Sequence, residues 1–214
     1  AGEKRIYSAP LNNLTDKQLK VQDPSLQPVL ATEQGSIYYT DGRHLYRVGD
    51  TESTYDPVLS RSANVESLSV KNGYYYYTDM DKKFCSYNSS TAEIVVLDEN
   101  CSYVSQSFGD EIYVIKGSTI RSYSTLSHEF TDFEISSSSS AQNRLGNGTD
   151  ILYENNTVFV ADKENQRISY YTQDGKAKTV QTSVTPEYFA VCDETFMVAN
   201  STSIGLYDYD GNEL

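Results

Sequence analysis

Apolar and aromatic residues in this chain come in short runs broken by Gly, Asn, Asp and Ser, and none keeps the period of an amphipathic helix. One pattern recurs. An aromatic or β-branched run appears at Ile37-Tyr38-Tyr39-Thr40-Asp41, Tyr75-Tyr76-Tyr77-Thr78-Asp79, Ile112-Tyr113-Val114-Ile115, Val158-Phe159-Val160-Ala161-Asp162 and Phe196-Met197-Val198-Ala199. The starts of these runs are separated by 38, 37, 46 and 38 residues, and the long interval holds the serine run Ser136 to Ser140, which reads as a loop insertion. After each run a turn leads to a second strand: Leu45-Tyr46-Arg47, Phe84-Cys85-Ser86, Ile120-Arg121-Ser122, Ile168-Ser169-Tyr170 and Ile204-Gly205-Leu206. Further strands are expected before each aromatic run, as at Val65 to Val70 and Ile151 to Tyr153, and after each second strand, as at Val58-Leu59 and Ile94 to Leu97.

Four strands per unit make a meander with two apolar faces, and one such unit has nothing to bury both against. Radial stacking covers each face with a neighbouring unit, so a repeat of this length predicts an all-β fold, a β-propeller. Arg5-Ile6-Tyr7-Ser8 also matches the second-strand pattern, because Ile6 lies 39 residues before Leu45. This predicts five four-stranded blades closed by the N-terminal strand, which removes free sheet edges. The alternative is an incomplete or two-chain six-bladed propeller. Residues 1–214 are expected to form a single domain.

The repeats carry a family likeness. Ile37-Tyr38-Tyr39-Thr40-Asp41 with Leu45-Tyr46-Arg47, and Tyr76-Tyr77-Thr78-Asp79, resemble the YWTD repeats of lipoprotein-receptor-type propellers, with Tyr in place of Trp. Val158-Phe159-Val160-Ala161-Asp162 through Ile168, ending at Asp174-Gly175, is similar to an NHL repeat. The resemblance implies blade architecture and a role in binding protein ligands outside the cell.

Charge narrows the partners. With 30 acidic against 17 basic side chains the formal net charge is -13, which repels nucleic acid backbones and anionic membranes. No apolar run is long enough to span a bilayer, and the start at Ala1 is what a mature or trimmed product would show. Asn13, Asn88, Asn147, Asn155 and Asn200 head N-x-S/T sequons and are candidate glycosylation sites, in keeping with a secreted, extracellular glycoprotein. Of three cysteines, Cys85 and Cys101 are candidates for a disulfide if their strands are neighbours, and Cys192 is left over; three buried thiols are the other reading.

Asp41, Asp79 and Asp162 recur at one position of the unit. They are read as structural acceptors that fix the turn into the second strand, rather than as a ring of cation ligands. With only His44 and His128 present, a histidine-rich metal site is excluded, and there is no P-loop, Rossmann glycine pattern or GxSxG elbow. The expected function is therefore a non-catalytic, extracellular binding or scaffold propeller without a cofactor, whose partner is a protein or glycan, or another chain or domain of a larger assembly. The alternative is a metal-dependent hydrolase of the lactonase or phosphotriesterase type, in which an axial carboxylate and amide site holds Ca2+ or another divalent cation.

Overall fold

The computed structural model describes residues 5–8, 18–22, 29–34, 36–40, 45–48, 53–56, 65–107, 109–133, 148–154, 156–172, 177–192 and 194–214. The chain opens with β1 (Arg5–Ser8) and β2 (Gln18–Gln22), an antiparallel pair. Four four-stranded antiparallel sheets follow. They are β3 (Leu30–Glu33) to β6 (Ser53–Asp56) with β4 (Ser36–Thr40) and β5 (Leu45–Val48) between; then β7 (Val65–Lys71), β8 (Tyr74–Asp79), β9 (Lys83–Asn88) and β10 (Glu93–Glu99). Next come β11 (Cys101–Val104), β12 (Glu111–Lys116), β13 (Thr119–Ser124) and β14 (Phe130–Phe133), and then β15 (Gly148–Glu154), β16 (Thr157–Asp162), β17 (Arg167–Thr172) and β18 (Ala177–Gln181). The last sheet has three strands, β19 (Tyr188–Cys192), β20 (Thr195–Ala199) and β21 (Ile204–Asp208).

Strands follow one another within each sheet in chain order, and the first strands touch in sequence: β3 against β7, β7 against β11, β11 against β15, β15 against β19. That radial order, with first strands innermost, is a propeller with five blades of four or three strands. The alternation along the aromatic-run strands β4, β8, β12 and β16 explains it. Tyr75 and Tyr77 point to a core shared with Ala31 and Tyr38 of the preceding blade, while Tyr76 packs with Val104, Ile112, Val114 and Tyr123 of the following one. Tyr113 and Ile115 then meet Ile151, Val158 and Val160, and Phe159 and Ala161 meet Phe196 and Val198. A strand apolar on both faces needs a neighbour on each side, and each interface here supplies one. Ring pairs tie the blades: Tyr38–Tyr75 meet edge-on at 5.6 Å and Tyr113–Tyr153 stack at 4.7 Å.

The expected closure is corrected. β1 pairs with β2, not with the last blade, and among the described residues the sheets of three or more strands number five, not six. The physical reason lies at the outer edge of β21, the place foreseen for β1. The chain turns at Asp210-Gly211 and comes back on itself, so that Tyr207 bridges Glu213 and Leu214 N donates to Leu206 O at 2.9 Å. The edge is occupied by the chain's own last residues. Ile6 of β1 instead packs on Tyr39 of the first four-stranded sheet. The last strand of that sheet is Ser53–Asp56; Val58-Leu59 lie outside the described residues.

Among the buried polar groups, Asp162 and Arg167 face each other across β16 and β17, with Arg167 Nε donating to Asp162 Oδ2 at 2.9 Å and both side chains at most 5% exposed. Removing one partner leaves a buried charge without its counter-ion. Arg167→Met is therefore expected to destabilise the protein by about 3–5 kcal/mol, read as a lower midpoint in urea unfolding with an unchanged slope.

Candidate functional site: an axial cavity

The inner strands of a propeller surround its axis, and here they enclose a cavity of about 470 Å³ to which every one of the five blades contributes. Its walls are Val29 beside β3, Glu66, Ser67 and Leu68 on β7, Tyr103 and Val104 on β11 with Gln106 just beyond it, Asp150 on β15, Lys163 after β16, and Glu187 and Tyr188 at the start of β19.

A shared backbone irregularity shapes this end of the axis. β7 slips register between Val65 and Ser67, β11 between Cys101 and Tyr103, and β15 between Gly148 and Asp150. Each slip is a one-residue bulge near the start of an inner strand, and bulges re-aim the side chains around them. Glu66 is itself the extra residue, while Tyr103 and Asp150 are the first paired residues after theirs. Hydrogen bonds between blades fix the rim. Ser67 Oγ lies 2.6 Å from Thr78 Oγ1 and accepts from Val104 N at 2.9 Å. Gln106 Nε2 donates to Leu68 O at 3.0 Å while its Oε1 accepts from Thr32 N at 3.2 Å, so one side chain joins three blades.

The electrostatics single out Asp150. Burial pushes its carboxyl up to about 6, only partly offset by the N–H of Ile151, which donates to Oδ1 at 2.9 Å. Among the described residues it has no cationic partner. Burial also raises the Tyr103 phenol, and the charges of Glu66, Asp150 and Tyr188 raise it further, so Tyr103 sits amid these groups and stays protonated. Glu66 is raised as well, first by burial, with Lys82 opposing and Asp79 adding. Lys163 Nζ is committed to Glu187 Oε1 at 2.7 Å.

Of the recurrent aspartates, Asp79 and Asp162 are not part of the cavity wall. Asp79 Oδ1 accepts from Lys83 N at 2.8 Å. Asp162 accepts from Asn165 Nδ2 at 2.8 Å and from Arg167, and the turn it holds carries Lys163 to the rim. Asp41 lies outside the described residues, as do Asn13, Asn147 and Asn155. Asn88 ends β9 and Asn200 follows β20, both half-buried, and their Oδ1 atoms accept from Ser90 N and from Thr202 N, both at 2.9 Å. Cys85 and Cys101 are buried free thiols, with burial pushing them up to about 11 and about 12. His128 hydrogen-bonds Tyr123 away from the axis, and His44 is outside the described residues. Sequence reasoning missed Glu66, Tyr103 and Asp150, because the bulges that bring them together leave no mark in the repeat, and Glu187, which lies just before β19.

No protein-family model and no curated protein sequence matches the chain. Solved structures do. A chain of the nidogen/laminin complex is 12% identical with a TM-score of 0.76, over 97% of this chain and 87% of that one. Virginiamycin B lyase from Staphylococcus aureus is 12% identical with a TM-score of 0.69, over 98% of this chain and 76% of that one. A catalytically inactive histidine-to-alanine variant of the same lyase, with quinupristin, gives 12% identity and a TM-score of 0.58, over 100% of this chain and 88% of that one. At these identities the likeness establishes the fold, a five-bladed β-propeller, and does not tie it to the YWTD or the NHL subfamily.

Two expectations are corrected here. The reading as a non-catalytic protein- or glycan-binding scaffold propeller gives way: propellers matching nearly the whole chain include a lyase, and the axis holds a converging polar cavity. The expectation of a cofactor-free protein rested on that reading and falls with it. A metal does not fit the donors seen, since the described residues hold no group of three or more His, Cys, Asp or Glu able to ligate one. Nor do the described residues contain a helix long and apolar enough to cross a membrane.

The raised Asp150 carboxyl carries a stability cost with a defined sign. The folded state holds the proton more tightly than the unfolded chain, so the fold is favoured at low pH and loses stability as pH rises from about 4 through about 6. Asp150→Asn keeps an acceptor for the Ile151 N–H and has no charge to bury. Relative to the parent it should gain up to about 3 kcal/mol at pH 8 over its difference at pH 4, measured by urea unfolding at the two pH values.

Proposed function

We propose that this propeller is an enzyme whose chemistry takes place in the axial cavity, with Asp150 as general base and the Tyr103 hydroxyl as proton donor. The observation that carries the reading is the Asp150 carboxyl, held near pH 6 by burial within a cavity built from all five blades, next to a protonated phenol. A base poised near neutrality suits proton abstraction.

The reaction class this favours is an elimination. The Asp150 carboxylate takes a proton from a carbon adjacent to a carbonyl, and the C–H electrons form a carbon–carbon double bond. The bond to an oxygen leaving group on the next carbon breaks, and that oxygen receives the Tyr103 proton. Tyr103 and Asp150 then return to their starting states by exchange with water. Support comes from the lyases of this fold, though their inactivating change is of a histidine and the described cavity wall has none, so the proton-transfer residues are this chain's own. The metal-dependent hydrolase alternative has carboxylates at hand in Glu66 and Asp150, but among the described residues they form no metal-ligating group and the Gln106 amide is spent on bonds between blades.

Other parts of the proposal have separate support. One domain over 1–214 fits blades that pack only on one another, and kinship with YWTD or NHL repeats rests on Tyr76 to Asp79 and Val158 to Asp162. A place outside the cell and a protein partner at the rim draw on the nidogen/laminin likeness. Turn fixing by Asp41, Asp79 and Asp162, and glycans on the sequon asparagines, complete it.

The test is a panel of cyclic and linear esters whose alkyl oxygen sits on the carbon next to a C–H adjacent to a second carbonyl, followed by chromatography and mass spectrometry. Elimination leaves total mass unchanged, and hydrolysis adds water. Asp150→Asn should lower kcat/KM roughly 10²–10⁴-fold, Tyr103→Phe should lower kcat, and wild-type activity should rise with pH through about 6. Turnover unaffected by Asp150→Asn would overturn the assignment.

A further inference from the structure

We infer that the axial cavity selects a substrate carrying a positive charge, an alkylammonium or guanidinium group, on an apolar body. This names the substrate class for the site proposed above and rests on that reading for its catalytic meaning, though not for its binding chemistry.

Carboxylates outnumber cations around the cavity: Lys82 opposes the raised Glu66, and no described cation pairs with Asp150. Glu66, Asp150 and Glu187 reach the cavity from three different blades, against one cation, Lys163. Lys163 is bound to Glu187 at 2.7 Å, so it neutralises that carboxylate alone. Asp150 accepts a single hydrogen bond, from Ile151 N, and no described cation stands beside it. A half-buried, desolvated carboxylate without a paired cation gains from one brought to it.

Size and lining then choose among cations. The carboxylates come from separate walls and form no metal-ligating group among the described residues. A point-like metal ion would therefore not reach enough of them, whereas a group borne on an organic body fits a cavity of about 470 Å³. Two phenol rings also line it. Tyr103 feels the charges of both Glu66 and Asp150, and Tyr188, also in the wall, is 54% exposed. Aromatic faces attract ammonium and guanidinium groups, and do so more strongly where water is excluded. Val29, Leu68 and Val104 provide apolar wall for the rest of the molecule. An anionic substrate meets the opposite field, since its charge would be added to uncompensated carboxylates in a chain of net charge -13.

Three probes with one body and three charges test this: phenethylammonium, 2-phenylethanol and phenylacetate, titrated into the full chain at pH 8 and followed by calorimetry and NMR shifts of the tyrosine ring protons. The expected result is binding of the ammonium at least about tenfold tighter than the alcohol, with phenylacetate weakest. Glu66→Gln should reduce the ammonium preference severalfold while leaving the alcohol unchanged. Equal binding of all three, tighter binding of phenylacetate, no binding of the ammonium, or a preference indifferent to Glu66→Gln would each overturn the inference. The two readings fail separately. A neutral or anionic substrate whose turnover still needs Asp150 would keep the catalytic reading and sink this one. An ammonium preference alongside turnover that ignores Asp150→Asn would do the reverse.

Discussion

Everything in this molecule depends on sheets that are apolar on both faces. Tyr75, Tyr76 and Tyr77 are consecutive and all buried, which a strand achieves only when both of its faces are covered. No single blade can satisfy that demand, so each becomes a wall for the next, and stability is shared along the series β3–β7–β11–β15–β19. The polar contacts are placed to support this order rather than to drive it. Ser67, Thr78 and Gln106 fix the spacing of the inner strands, and the Asp162–Arg167 pair satisfies charges that radial packing has already buried.

The same packing creates the cavity. Inner strands held at a fixed distance from an axis leave a space along it, and the bulges in β7, β11 and β15 aim side chains into its end. A carboxylate there is removed from water by the architecture itself. Asp150 is thus costly to the fold for the same reason that the proposed chemistry would use it, its desolvation. The blades supply enough interface to carry that cost.

The last blade shows where local and global preferences part. The far face of the last sheet leaves Met197, Ile204 and Leu206 exposed, the opposite of their counterparts on Phe196 and Val198, which are buried against the fourth blade. The Asp210-Gly211 turn returns the chain to β21 and fills its edge, while β1 finds its partner in β2. Short-range pairing prevailed over the long-range closure that a repeat count suggests, since bringing distant ends together costs more chain entropy than closing a nearby turn.

By itself the sequence determined the strands, their order and the radial stacking. Residues such as Ile112 to Ile115 or Val158 to Ala161 announce a doubly buried strand, and their spacing of about forty residues announces a blade. It also marked Asp79 and Asp162 as turn residues, because repeat position is a local property. Only the tertiary structure decided which strand edges pair at the ends of the chain and which side chains meet at the axis. Glu66, Tyr103 and Asp150 stand far apart in sequence and occupy no common motif; one-residue slips in register, whose cost and benefit depend on the neighbouring blade, bring them to a single cavity. Burial, and with it the chemistry of a carboxylate, is a property of the assembled ring rather than of any run of residues within it.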